Sequence, residues 1–156
     1  MTPRRHLLAN ANDWVIAADI NDFRNYPQAI RDSGKRPDVV ISSARANSFI
    51  LVELTVPFED RMEERNISKR EKYDELTADL RDTGYEVSLF AVEVGARGLP
   101  GRSLYAFLRK LGLSSRERAG FMRGAAGAAE SASAWIWRRR DKINHAGFVG
   151  DFIFFF

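Results

Sequence analysis

Two apolar runs decide the fold: Arg36-Pro37-Asp38-Val39-Val40-Ile41 and Phe49-Ile50-Leu51-Val52-Glu53-Leu54-Thr55-Val56. Both predict strands of a sheet, and the polar stretch 43–48 between them predicts a hairpin turn. Asp38 nevertheless opens the first run, and Glu53 lies inside the second. Because a charge inside a protein core is costly unless it is paired or binds a metal, these two carboxylates indicate a site.

The two carboxylates are expected to meet. Alternation along the second strand places Glu53 on a face that is apolar apart from Thr55. If strands 38–42 and 49–56 pair as a hairpin, Asp38 near the start of one strand lies beside Glu53 near the end of the other. Two carboxylates that close repel each other, and one would take up a proton. A hard divalent cation removes this conflict, so the pair predicts ligands for Mg²⁺ or Mn²⁺.

A lysine completes the predicted site. Residues 60–82 contain neither glycine nor proline and predict a helix, which Gly84 would end. At about 100° per residue, Lys69 falls at the centre of the apolar stripe of this helix and Lys72 about 60° from it. The apolar members of the stripe are Met62, Tyr73, Leu76 and Leu80. We therefore expect Lys69 to reach the acidic pair and to act as the catalytic cation, with Lys72 at the edge of the site.

Each of these residues also has a structural explanation. An aspartate at a strand start is commonly a turn or cap residue. Glu53 and Lys69 would also suit a buried salt bridge without catalysis, and a lone lysine on a helix often extends its ammonium to solvent. The three residues together favour a site, because a structural explanation must account for each burial separately.

The remaining pattern completes an α/β fold of the α+β type with a mixed sheet. It predicts a strand at 13–20, a loop or short helix beginning near Pro27, a strand at 85–94, a glycine-rich loop at 95–101, a helix at 103–111, and a long helix from the capping box Ser114–Glu117 to about residue 142. We divide the chain into a core at 13–112 that carries the predicted site, a C-terminal helical extension at 113–144, and an irregular apolar tail at 145–156.

Composition limits the classes of function. The 156 residues suit one domain, and 24 Lys and Arg against 21 Asp and Glu give a net charge of +3, which is compatible with nucleic acid without predicting it. There is no cysteine, which excludes disulfides, zinc knuckles and thiol catalysis. No apolar run reaches transmembrane length, so we expect no membrane partner.

Pro37-Asp38 followed by Glu53-Leu54-Thr55 resembles the PD-(D/E)xK signature of restriction-endonuclease-like nucleases. The resemblance implies a mixed sheet flanked by helices and metal-dependent cleavage of phosphodiesters. Thr55 stands where the signature has lysine. In several branches of this family the lysine has moved to the following helix, which is where Lys69 lies.

A closer resemblance extends over about Trp14 to Leu111. Four segments together resemble the endonuclease domain that accompanies reverse transcriptases in site-specific non-LTR retrotransposons: Arg36-Pro37-Asp38, Glu53-Leu54-Thr55-Val56-Pro57, Lys69-x-x-Lys72-Tyr73 and Val92-Glu93-Val94-Gly95-Ala96-Arg97-Gly98. The resemblance implies that the protein nicks DNA to prime reverse transcription. It also implies that its partners are DNA and a reverse transcriptase, and that it is intracellular and located in the nucleus. No polymerase is present, so we expect a detached or fragmentary copy.

Weaker signals add accessory and DNA-binding residues. Asp19, Thr55, Lys72 and Tyr73 are predicted accessory site residues, although Asp19 also suits a strand-end cap. The predicted nucleic-acid contacts are Arg36, Arg97, Arg102, Arg138, Arg139 and Arg140. Two alternative functions stay open: a catalytically inactive nuclease fold that binds nucleic acid, and an interaction domain that docks a partner through the apolar tail.

Overall fold

The computed structural model describes residues 6–20 and 24–143. These residues form four strands and four α-helices, in the order β1 Val15–Ala18, α1 Gln28–Asp32, β2 Val39–Ser43, β3 Ser48–Thr55, α2 Met62–Asp82, β4 Glu86–Glu93, α3 Arg102–Leu111 and α4 Ser115–Ile143. Short 3₁₀ helices occupy Leu7–Asn10 and Glu59–Arg61. The predicted tail at 145–156 lies outside the described residues.

The sheet is mixed, with strand order β1-β2-β3-β4. The β1–β2 and β2–β3 pairs are antiparallel, and the β3–β4 pair is parallel. A parallel pair needs a crossover connection, which α2 provides. The predicted α/β class with a mixed sheet is therefore confirmed, as is the hairpin that joins β2 to β3.

The two faces of the sheet are covered by different helices. Alternation along β3 sends Phe49, Leu51 and Glu53 to one side and Ile50 and Val52 to the other. The first side forms a core with α1 and α2, whose buried members include Ile30, Tyr73, Leu76 and Leu80. The second side forms a core with α3 and α4, whose buried members include Leu104, Phe107, Leu108 and Ala129.

Asp13, which precedes β1 in the chain, holds the hairpin turn between β2 and β3. Asp13 accepts hydrogen bonds from the Ser43 hydroxyl at 2.5 Å and from the Arg45 main-chain N–H at 2.9 Å. These hydrogen bonds hold the pKa of the Asp13 carboxyl below its usual value, with the Ser43 hydroxyl the larger cause. The turn thereby fixes the register that brings the far ends of β2 and β3 together.

The long helix α4 packs against α3 and contributes to the core on the second side of the sheet. Ala129 of α4 is fully buried against the core. The predicted capping box is present at its start, where the Ser114 hydroxyl accepts from the Glu117 N–H and the Glu117 carboxylate accepts from the Ser114 N–H. Among the described helices, none has the length and apolar character needed to cross a membrane.

Candidate active site

The β2–β3 ladder ends where the two predicted carboxylates begin. Val39 pairs with Val52 in the last register position, so Asp38 stands opposite Glu53 one residue further on. Beyond this pair, the hydrogen bonds between the two segments are accepted by side-chain carboxylates instead of main-chain carbonyls. The Leu54 N–H donates to Asp38 Oδ2 at 2.7 Å, and the Asp38 N–H donates to Glu53 Oε2 at 3.3 Å. The predicted proximity of Asp38 and Glu53 is confirmed.

Glu53 is almost completely buried beneath two lysines of α2. The residue is 1% exposed. Lys69 Nζ lies 2.5 Å from Glu53 Oε1, and Lys72 Nζ lies 3.2 Å from the same oxygen. The lysine side chains are 29% and 48% exposed, so Lys69 is the more enclosed of the two. The helical stripe therefore positions Lys69 as predicted, and Lys72 reaches the carboxylate as well.

Two tyrosines fix the chain segment that carries Asp38. The Tyr73 hydroxyl donates to the Arg36 carbonyl at 2.9 Å, and the Tyr26 hydroxyl donates to the Pro37 carbonyl at 2.8 Å. Burial, followed by the charge of Glu53, raises the pKa of Tyr73. Burial, followed by the charge of Asp19, raises the pKa of Tyr26 to about 12. Both shifts widen the pH range over which the hydroxyls stay protonated and can donate.

The two carboxylates differ in their affinity for a proton. Burial and the adjacent charge of Glu53 raise the pKa of Asp38 above its usual value. Burial also acts to raise the pKa of Glu53, but the hydrogen bond and the charge of Lys69 outweigh it and lower that pKa overall. Such a difference between two neighbouring acids is typical of functional sites, although structural ion pairs also produce it.

The oxygen atoms that could bind a metal lie at the end of the β2–β3 ladder. Among the described residues, Asp38 Oδ1 accepts no hydrogen bond, whereas Oδ2 is bound by Leu54. The N–H and C=O of a strand residue point to the same side, so the Leu54 carbonyl is directed toward the side of β3 on which β2 and Asp38 lie. The described residues contain no group of three or more His, Cys, Asp or Glu that could hold a metal. The oxygen donors here are thus two carboxylates and a main-chain carbonyl.

Tyr26→Phe tests how firmly this segment is held. The substitution leaves the Pro37 carbonyl buried without its donor, which should lower the free energy of unfolding by about 1–3 kcal/mol. Tyr105→Phe is the matched control because Tyr105 is exposed. Urea unfolding of both variants measures the difference, and equal stabilities would show that the Tyr26 hydroxyl does not secure the Asp38 segment.

The other predicted accessory residues take different positions. Asp19 donates its main-chain N–H to the Asp38 carbonyl at 3.1 Å, but its carboxylate pairs with Arg24 at 3.2 Å. The Asp19 carboxylate therefore has a cationic partner of its own. Thr55 lies two residues beyond Glu53 on the same face and is half-buried.

The arginines predicted to contact nucleic acid lie in three places. Arg36 is exposed and adjoins the acidic pair in sequence. Arg97 and Arg102 are exposed in the loop after β4 and at the start of α3. Because β3 and β4 are parallel, this loop leaves the sheet at the same edge as Thr55. The candidate site lies at the end of the sheet where β3 and β4 finish and β2 begins. This end also carries Arg36, Arg97 and Arg102.

The three arginines near the end of α4 are a separate group. Arg138 donates to the Ala134 carbonyl of its own helix. The Arg139 guanidinium lies 4.6 Å from the Trp135 ring centroid, in a cation–π contact. The Arg140 side chain lies outside the described residues. Both described arginines of this group therefore make contacts within α4.

Sequence reasoning assigned no role to a further buried acid, Glu93. It is 4% exposed, accepts a hydrogen bond from the Ser103 hydroxyl, and pairs in register with Thr55. Because directly paired residues of neighbouring strands share a face, Glu93 lies on the α2 side like Glu53. The signal was available, since Glu93 interrupts an apolar run just as Glu53 does.

Comparison of the chain with protein-family models gives no match, and comparison with curated proteins gives none either. The resemblance to PD-(D/E)xK nucleases therefore depends on the sequence segments quoted above.

Proposed function

We propose that this protein is a Mg²⁺-dependent endonuclease that nicks DNA, with Asp38 and Glu53 as metal ligands and Lys69 as the catalytic cation. The observation that carries the proposal is the buried Glu53 carboxylate held between Asp38 and two lysines at the open end of a hairpin. The finer fold proposal, a restriction-endonuclease-like core, is supported by the order β2, β3, α2, β4 and by the position of the acids on the hairpin.

The donor set suits the proposed metal. Mg²⁺ is commonly bound by one or two carboxylates together with waters and substrate phosphates. Asp38 Oδ1, a Glu53 oxygen and the Leu54 carbonyl are hard oxygen donors of this kind. A divalent cation held there would activate water and neutralise charge that develops on the phosphoryl oxygens. It would also relieve the repulsion from Glu53, which adds to burial in raising the pKa of Asp38.

The two lysines would serve the anionic substrate. Lys69 is held at Glu53 by an ion pair, which keeps its ammonium inside the site. There it would orient the attacking water or stabilise negative charge in the transition state. Lys72 is half-exposed and would contact a phosphate from the solvent side. Nicking of one strand is the reaction that would prime a partner reverse transcriptase.

A second candidate is a non-enzymatic nucleic-acid-binding module with the same fold. It is favoured by the direct 2.5 Å contact between Lys69 and Glu53, which neutralises the buried acid without any metal. Thr55 in the position of the signature lysine also favours it. This candidate predicts DNA affinity that falls with salt and does not change with metal.

Supercoiled plasmid DNA separates the two candidates. The protein should convert it to the open-circular form in Mg²⁺ or Mn²⁺ and should not do so in EDTA. Calorimetric titration with Mn²⁺ should show binding in the absence of DNA. A protein that binds the plasmid, takes up no metal and leaves several DNA forms uncut would contradict the endonuclease proposal and support the binding module.

A further inference from the structure

A cavity of about 370 Å³ lies beside the candidate site, between the end of β1 and α1. Half of its described lining residues are cationic. The described lining residues are Asp19, Arg24, Tyr26, Ile30, Arg31, Gly34, Lys35 and Arg36. None of the arginines or lysines among them except Arg36 was predicted to contact a ligand.

The lining concentrates the positive charge of the protein. The described lining contains four cationic side chains and one carboxylate, which gives it a net charge of +3. The whole chain carries the same net charge, from 24 basic and 21 acidic residues. Among the described lining residues, cations thus outnumber carboxylates four to one, and such a local excess of positive charge attracts anions.

Most of this charge is not neutralised within the protein. Asp19 pairs with Arg24 at 3.2 Å. In the described ranges, no carboxylate lies within ion-pair distance of Arg31, Lys35 or Arg36. Arg31 donates instead to the neutral amide oxygen of Gln28 at 2.5 Å. Among the described residues, three cations around one concave space therefore have no carboxylate partner.

Two of the residues that line the cavity are close to the acidic pair. Arg36 lines the cavity and is two residues from Asp38, a separation of at most about 7 Å along an extended chain. Tyr26 also lines it and holds the Pro37 carbonyl. Successive phosphates of a DNA strand rise by about 3.4 Å. A strand whose phosphodiester lies at Asp38 would therefore place a phosphate one or two nucleotides away at the cavity.

We infer that this cavity is a phosphate-binding subsite, which takes a backbone phosphate of the DNA strand next to the one that is cut; the inference rests on the proposed function. Arginine guanidinium groups suit this role because their planar donors match the oxygens of a phosphate. Contacts of this kind fix the register of a protein on DNA without reading its sequence. The subsite would set the position of the strand across Asp38 and Glu53.

The test uses Arg31→Ala combined with Lys35→Ala, since neither residue belongs to the proposed catalytic machinery. DNA affinity is measured by fluorescence anisotropy in EDTA over a range of salt concentrations. Each lost phosphate contact should reduce the slope of log affinity against log salt by about 0.9. The matched control combines Arg116→Ala with Arg123→Ala, which removes the same charge from exposed positions of α4 on the other face of the sheet.

The inference predicts a smaller salt slope for the cavity variant, with the control close to the unmodified protein. Equal slopes for the two variants would overturn it, because general electrostatic attraction would then account for the effect. Titration with inorganic phosphate distinguishes the source of the ligand. Lost phosphate binding with an unchanged DNA slope would also overturn the inference, since the cavity would then serve a free phosphate compound.

The outcomes for the subsite and for the proposed endonuclease are distinguishable. If the protein never nicks DNA but the cavity variant alone loses salt slope, the subsite stands and the endonuclease proposal fails. If nicking depends on Mg²⁺ and the cavity variant keeps both its slope and its apparent KM for plasmid, the subsite fails and the endonuclease proposal stands.

Discussion

Replacing Asp38 with asparagine is expected to abolish plasmid nicking and metal binding while the fold remains. The asparagine side-chain oxygen can still accept the Leu54 N–H that Asp38 Oδ2 accepts. The negative charge that would hold a cation is lost. Removal of one electrostatic group from a catalytic site commonly lowers kcat by about 10²–10³-fold, and we expect a loss at least this large.

The stability of the Asp38→Asn variant is the second part of the same prediction. Burial and the charge of Glu53 raise the pKa of Asp38, so the ionised carboxylate is disfavoured in the folded protein. A neutral amide removes that repulsion, and the variant should unfold at the same urea concentration as the unmodified protein or slightly above it. Together, lost nicking and kept stability separate a ligand from a structural acid.

Asp79→Asn provides the control, because Asp79 is an exposed acid on α2. It should nick plasmid and bind Mn²⁺ as the unmodified protein does. An Asp38→Asn variant that still nicks plasmid at the unmodified rate would remove Asp38 from the proposed metal site.

The main contacts of the candidate site could be predicted because they follow from two short periodicities. Alternation along a strand put Glu53 on the buried face, and the hairpin register then put Asp38 opposite it. The 3.6-residue period of α2 put Lys69 over the same face. The first two steps use neighbours within one strand and one turn, so the sequence was sufficient for them. The third step fixed only the side of the helix on which Lys69 lies, and its contact with Glu53 also depended on α2 packing on this face of the sheet.

The supporting contacts could not be predicted in the same way. Tyr26 reaches Pro37 from an irregular segment that has no periodicity, and its hydroxyl contact depends on how α1 lies on the sheet. The cationic cavity likewise depends on the position of α1 relative to the end of β1. Helix-to-sheet packing of this kind is set by the whole core, and no local pattern encodes it.

The arrangement also explains why Lys69 and Lys72 are not equivalent. Both contact Glu53 Oε1, but Lys69 does so at 2.5 Å from a largely enclosed position, and Lys72 at 3.2 Å from a half-exposed one. Lys72 also lies 4.7 Å from the Tyr73 ring centroid, in a cation–π contact. An exposed cation is well hydrated and neutralises a buried acid weakly, so Lys69 carries most of the stabilisation of Glu53.

Lys69→Met should therefore destabilise the protein far more than Lys72→Met. Removal of one partner from a buried ion pair costs about 3–5 kcal/mol, and we expect the lower end because Lys72 remains near the carboxylate. Lys72→Met should cost less than about 1 kcal/mol, as exposed pairs do. Urea unfolding at pH 7 measures both, and equal losses would contradict the assignment of Lys69 as the principal partner of Glu53.

The pH dependence identifies Glu53 as the origin of the Lys69→Met loss. In the unmodified protein the pKa of Glu53 is below its usual 4.5, so its stabilisation is present above pH 4.5 and is lost as pH falls through the lowered pKa. Without Lys69, burial raises the pKa of Glu53, and the variant regains stability once the acid is protonated. The difference in free energy of unfolding between the two proteins should therefore shrink from pH 7 to pH 4. A difference that is constant over this range would assign the loss to methionine packing instead of to an unpaired carboxylate.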